Sequence, residues 1–211
     1  MQSAKERILL TALRLFAKDG YEAVSVSDIA SELDMTKGAL YKHFKNKRDI
    51  FESIVARMEQ CDAEQANAHG VPEGPLDTMI DAYRSAKVDQ IVAFGKAMFR
   101  YWTEDDFASQ FRKMLTLEQF RNAEMGALYQ QYLASGPLGY MTDLLSGMGV
   151  PQPQFEAARF YAPMFFLYSV YDGAEDKASV SALLDDMLDR AQTHLKATPH
   201  KKTGAKIEQI M

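Results

Sequence analysis

Between Thr36 and Arg48 the chain carries Lys37, Lys42, His43, Lys45, Lys47 and Arg48, and not one acid. Cations without neighbouring carboxylates attract a polyanion, whereas a solvated charge run is the simpler alternative, and charge alone does not separate the two. Chemistry of other kinds finds little material. A Gly-x-Ser-x-Gly elbow, a Walker loop and a dinucleotide fingerprint are all missing. The four histidines, His43, His69, His194 and His200, are scattered and lack paired metal-ligand spacing. Asp105 and Asp106 stand where a helix begins and serve more simply as dipole partners than as catalytic acids. No catalytic residue, metal site or cofactor is therefore expected.

The basic run needs elements to present it. A first helix is expected from about Ser3 to Lys18, with Ile8, Leu9, Ala12, Leu15 and Phe16 as one apolar stripe and Gly20 as its stop. Ser25 and Asp28 form a Ser-x-x-Asp cap for a very short second helix that buries Ile29, Ala30 and Leu33. Thr36 caps a third, expected over Lys37–Phe44, with Leu40 and Phe44 inward. A fourth begins near Lys47 and runs toward Ala68. Two short helices joined by a tight turn, with a support on each side, describe a helix-turn-helix. Thr36, Lys37, Gly38, Ala39, Tyr41, Lys42 and His43 are left to face outward. The small residues Gly38 and Ala39 allow close backbone approach, and the helix start favours a phosphate.

From Ala23 to Phe51 the chain resembles the DNA-binding head of the TetR (tetracycline-repressor-like) family. The matching segments are Val26-Ser27-Asp28-Ile29-Ala30, then Thr36-Lys37-Gly38-Ala39-Leu40-Tyr41-Lys42-His43-Phe44, then Lys45-Asn46-Lys47-Arg48-Asp49-Ile50-Phe51. The upstream Leu15-Phe16-Ala17-Lys18-Asp19-Gly20-Tyr21 also fits. Two positions depart from the family pattern. Asp34 stands where the family usually has glycine, and aspartate tolerates a left-handed backbone better than most residues. Ser25 replaces a usual threonine and keeps the capping hydroxyl. The resemblance implies that Thr36, Lys37, Gly38, Tyr41, Lys42 and His43 contact operator DNA, that Lys47 reaches a phosphate, and that Ser25 and Ser27 touch the backbone. Tyr41 could equally brace the head, His43 could be a solvated or packing histidine, and Lys37 could read a base or bind a phosphate.

Behind the head, a linker is expected at His69–Pro75, followed by helices at about 76–101, 104–115, 122–134, 137–148, 152–172 and 178–197. The fold class is all-α, with a helix-turn-helix head over 1–50, a helical ligand-binding and dimerisation bundle over 51–197, and a polar tail over 198–211. Aromatic and methionine residues are abundant in the body, and most belong to its core. Phe99, Trp102, Tyr129 and Tyr132 are the candidates for lining a ligand site, because aromatics suit irregular apolar ligands. Pro163 falls inside one long helix, where a kink is expected. Phe155, Tyr161, Met164, Phe165, Tyr168 and Tyr171 form one broad apolar face; Val180, Leu183, Leu184, Met187, Leu188, Ala191 and Leu195 form another. In the resembling family the last two helices pair with their copies, which implies a homodimer. Closing a monomeric core is the alternative use of both faces.

The chain has 211 residues, 47% hydrophobic and 25% charged, with a net charge of -5. A basic patch on an acidic body suits contact with a polyanion at one end. One cysteine, Cys61, no signal-peptide pattern and no apolar run near the roughly 18 residues that span a bilayer all fit a cytoplasmic protein without membrane contact. The expected function is a ligand-gated transcriptional repressor, binding double-stranded operator DNA as a dimer and released by a small apolar or amphipathic effector. The alternatives are an activator of the same build, a helical cytoplasmic enzyme, or a helical module that binds a partner other than DNA.

Overall fold

The structure is a computed structural model that describes residues 3–70 and 76–199. Most of the expected linker and the tail from residue 200 lie outside the described residues. Among the described residues all helical and strand elements are α-helices: α1 (Ala4–Asp19), α2 (Val26–Glu32), α3 (Lys37–Tyr41), α4 (Lys47–His69), α5 (Leu76–Ser85), α6 (Val88–Glu104), α7 (Asp106–Glu118), α8 (Ala123–Leu133), α9 (Ser135–Gly147), α10 (Pro153–Gly173) and α11 (Lys177–Ala197). The all-α expectation holds. They sort into two compact units, one within Met1–Ala68 and Met98–Ala134, the other within His69–Ala97 and Ser135–Met211. Packing groups the segment Met98–Ala134 with the helix-turn-helix.

In the first unit, each short helix begins where a side chain satisfies its free N–H groups. Ser3 Oγ accepts from Glu6 N at 3.1 Å. At α2 the reciprocal cap is complete: Ser25 Oγ accepts from Asp28 N and Asp28 Oδ2 accepts from Ser25 N at 2.7 Å. Thr36 Oγ1 accepts from Ala39 N at 3.2 Å, which starts α3. Asn46 Oδ1 accepts from Asp49 N, and Asp49 Oδ2 accepts from Lys45 N, both at 2.8 Å, which starts α4. The α3 helix is shorter than expected. It ends at Tyr41, and the chain from Lys42 to Phe44 tightens into a turn in which both His43 N and Phe44 N donate to Leu40 O. Beneath these helices Ile8, Phe16, Ile29, Leu40, Phe44, Ile50, Phe51 and Ile54 are buried.

Helix α7 packs along α1. Its last residue, Glu118, is buried, and Oε1 accepts from the backbone N–H of Tyr21 at 2.9 Å. Gly20 makes room for it. Gly20 has φ +93°, and a Cβ there would stand 2.6 Å from that same Oε1. Only glycine meets both demands.

In the second unit α10 lies between α9 and α11, and α5 rests on α9. A single helix expected over 76–101 is instead two. The chain breaks at Ala86-Lys87, where the Gln90 side chain accepts from Lys87 N at 3.3 Å and Gln90 N donates to Lys87 O at 3.0 Å. That is a capping arrangement without Gly, Pro, Ser or Asp, so composition carries no signal for it. Phe160 meets α6 at Gly95, where a Cβ would stand 3.0 Å from the ring. Lys96 pairs with Asp189 at 2.7 Å. Tyr83 is fully buried and its Cβ lies 2.5 Å from where a Cβ on Gly147 would stand. Both atoms are fixed to backbone, so neither can swing away. Gly147→Ala should therefore destabilise the protein by about 1–3 kcal/mol in urea unfolding. An unchanged midpoint would show that α5 and α9 can part without cost.

Candidate nucleic-acid interface

Helix α3 presents one apolar face inward and the rest outward. Leu40 is fully buried and Phe44 nearly so, which fixes the rotation of the helix. Thr36, Lys37, Gly38, Tyr41, Lys42 and His43 are then all exposed, with Tyr41 at 51%. Asp34 takes φ +54° in the turn between α2 and α3. The left-handed turn therefore survives without glycine. Ser25 is exposed and Ser27 half-buried at the start of α2. The Ser25 hydroxyl is engaged with Asp28 in the cap, at 2.7 Å.

The cations divide into two groups. Arg14 pairs with Glu32 at 2.5 Å, Arg57 pairs with Glu6, and Arg48 holds both Glu52 and Glu124, with the Glu124 contacts at 2.5 and 2.7 Å. The Arg48–Glu124 pair keeps the Glu124 carboxyl below the usual carboxylate range. With both side chains about half exposed, it contributes no more than ~1 kcal/mol. Lys37, Lys42 and Lys45, by contrast, form no ion pair or side-chain hydrogen bond among the described residues. Lys45 belongs with this group, although sequence reasoning placed it in the basic run without assigning it a contact.

Lys47 differs from the expectation of a phosphate anchor. Its ammonium donates to Tyr21 O at 2.7 Å and Glu22 O at 3.4 Å, and lies 4.3 Å from the centre of the Tyr21 ring. Glu22 Oε2 stands a further 4.0 Å away. The side chain holds the α1–α2 loop onto α4. A lysine has three donors, so one N–H remains beyond the two carbonyls.

The four candidate ligand residues are buried and fall in the first unit: Phe99, Trp102, Tyr129 and Tyr132. Trp102 and Tyr132 meet, ring centres 6.3 Å apart, and Tyr132 stands edge-on to Phe111 at 5.4 Å. Buried Arg112 donates its Nε–H to the Trp102 carbonyl at 2.9 Å, a helix-end contact between distant residues that no local pattern announces. No helix among the described residues is long and apolar enough to cross a membrane.

The family described as "Bacterial regulatory proteins, tetR family" matches residues 8–54. The HTH-type transcriptional regulator YerO of Bacillus subtilis, itself uncharacterized, is 49% identical over 53 residues, 25% of this chain and 18% of YerO. AcrR of Shigella flexneri is 43% identical over 53 residues, 25% of each chain. TetC of transposon Tn10 from Escherichia coli is 33% identical over 88 residues, 42% of this chain and 36% of TetC. The aligned stretch thus spans well under half the length of these relatives. Solved structures extend the likeness of fold. The fatty acid degradation regulator FadR of Bacillus halodurans has TM-score 0.58 and 17% identity, covering 95% of this chain and all of FadR. SmeT, solved in complex with triclosan, has TM-score 0.58 and 18% identity, covering 100% of this chain and 98% of SmeT. Residues 8–54, the helix-turn-helix segment, are thus similar in sequence to the tetR family of bacterial regulatory proteins, and the fold of the chain is like that of these solved structures.

Proposed function

We propose that this protein is a transcriptional repressor that binds a palindromic operator as a homodimer and leaves it when a small molecule occupies its first unit. The observation that carries the reading is the exposed outer face of α3, with Lys37, Lys42 and Lys45 left unpaired while neighbouring arginines are matched to acids. A helix of that size enters a major groove, with its first residues near base edges. Lys37 and Gly38 then approach bases, Tyr41, Lys42 and His43 the rim of the groove, and Thr36, Ser25 and Ser27 the sugar-phosphate backbone. Lys47 ranks behind Lys42 as a phosphate contact because two carbonyls already hold it. The protein acts in the cytoplasm, where its operator is.

The aromatic cluster around Trp102 and Tyr132 is the proposed effector site, with Phe99 and Tyr129 as further lining. SmeT was solved in complex with triclosan, which supports a small apolar or amphipathic effector here. Two contacts lead from that segment to the head. Glu118 on α7 holds Tyr21 N, and Glu124 in the first turn of α8 holds Arg48 at the start of α4. An effector shifts the DNA-binding equilibrium only by its difference in affinity between the two states, so occupancy must move α7 or α8.

Dimerisation is supported by apolar surface on α10 and α11. Met164, Tyr168 and Tyr171 turn into their own unit, but Phe155, Phe165, Phe166, Val170, Leu183 and Met187 are exposed. Phe166 is 67% exposed. One head reads too few bases for useful specificity, and two read half-sites on the order of 34–36 Å apart.

Anisotropy titration of the protein on its own upstream DNA, at several salt concentrations, tests the interface. Lys42→Ala should lower the salt slope by about 1, and Lys37→Ala should relax the sequence preference at the bases it approaches. Lys47→Ala should lower Tm as well as the slope, and a lower Tm with an unchanged slope would remove Lys47 from the contacts. No binding by the wild type even at low ionic strength would end the regulator reading. Phe166→Glu should convert a dimer to a monomer in light scattering, with operator affinity reduced at least ~100-fold and helicity kept. A dimer that persists in Phe166→Glu would move the interface elsewhere.

A further inference from the structure

The first turn of α1 carries a cation that the fold brings to the end of α3. Lys5 is exposed, and its ammonium lies 5.4 Å from the centre of the Phe44 ring. Phe44 is almost wholly buried and stands between His43 and Lys45, in the turn that follows α3. Lys5 is thereby placed beside the α3–α4 turn, although it lies far from that turn along the chain. It forms no ion pair or side-chain hydrogen bond among the described residues.

The acids of these two helix starts are committed elsewhere. Glu6, in the first turn of α1, pairs with Arg57 on α4, whose guanidinium also lies 4.4 Å from the centre of the Phe107 ring on α7. Asp49, in the first turn of α4, accepts from Lys45 N at 2.8 Å. Lys42 and Lys45 flank Phe44 in sequence and Lys5 reaches its ring, so three ammonium groups gather at one turn with no carboxylate paired to any of them among the described residues. Packing does not account for the charge on Lys5. A cation over a ring at an exposed site is held weakly, and an apolar stem alone would cover the ring. A helix lying in a major groove is flanked by sugar-phosphate chains. A lysine, a compact point charge on a flexible stem, suits a phosphate oxygen there.

We propose that Lys5 binds a backbone phosphate beside the end of α3, so that the DNA-binding surface includes the start of α1. The proposal rests on α3 being the helix that enters the groove, and it adds an element to that interface. As a phosphate contact Lys5 strengthens binding to any duplex and reads no base.

The test titrates the full chain against its own upstream DNA and against an unrelated duplex of equal length, by anisotropy over a range of salt concentrations. Lys5→Met keeps an apolar stem on Phe44 and removes the charge. It should lower the salt slope by about 1 and weaken binding to both duplexes by about 5-fold at 0.15 M salt, with Tm unchanged. Lys5→Arg keeps the charge and should keep the slope. Arg7 is the control within the same helix, since two residues turn a helix by about 200° and direct its side chain away from Phe44. Arg7→Met should leave the slope as it is; an equal drop there would trace the effect to net charge and overturn the proposal. A slope lost in Lys5→Arg as fully as in Lys5→Met would reduce Lys5 to a brace for Phe44 and overturn it too. If Lys42→Met lowers the slope and Lys5→Met does not, Lys5 is no contact and the DNA-binding reading stands. If the wild type binds neither duplex at low ionic strength, the regulator reading fails, and this proposal with it.

Discussion

The hydrogen bond from the Tyr21 backbone N–H to the buried carboxyl of Glu118 is the contact on which the arrangement of the head depends. Tyr21 lies in the loop that α1 hands on to α2, and an enclosed loop N–H must find an acceptor. Here the acceptor comes from 97 residues along the chain, at the end of α7. Leaving such a donor unsatisfied costs about 1–3 kcal/mol. Glycine at position 20 is required by the same geometry, first by its positive φ and then by the closeness of Glu118 Oε1. From this point outward the parts follow. Lys47 grips the Tyr21 and Glu22 carbonyls and aligns α4, and Leu40 and Phe44 set the rotation of α3 over the buried stripe of α1. The outer face of α3 is then whatever remains.

That dependence explains why the head and the segment Met98–Ala134 form one compact unit. The proposed DNA-binding surface, built on α1 to α4 alone, would have its α1–α2 loop unsupported. Built against α7, it shares a core with the aromatic cluster of Trp102 and Tyr132. On the proposed effector reading, signal transfer between the two needs no long relay. Small shifts of α7 or α8 would act on Tyr21 and on Arg48 directly, and packed cores answer such shifts with discrete rearrangements.

Local features of the head were legible in the chain. Ser25 with Asp28 and Thr36 before Lys37 are capping patterns that span three residues, and the structure forms both. Asp34 in a left-handed turn also follows from its residue type. The α3 helix stops at Tyr41 instead of Phe44 because Leu40 O receives both following N–H groups, a detail below the resolution of periodicity. The break between α5 and α6 was hidden because Gln90, a good helix former, supplies the cap. Glu118 reads as an ordinary surface acid by composition. Its burial is set by elements far away in sequence, and only the packed structure reveals it. For Lys47 the basic run suggested an outward role, whereas the fold turns its ammonium toward backbone carbonyls.

Native-state hydrogen exchange at the Tyr21 amide measures the central tie directly. If Glu118 binds that N–H as the fold requires, the amide should exchange only as slowly as the central amides of α1, through opening of the whole unit. Exchange of Tyr21 at the rate of an open loop, while α1 stays protected, would contradict the account.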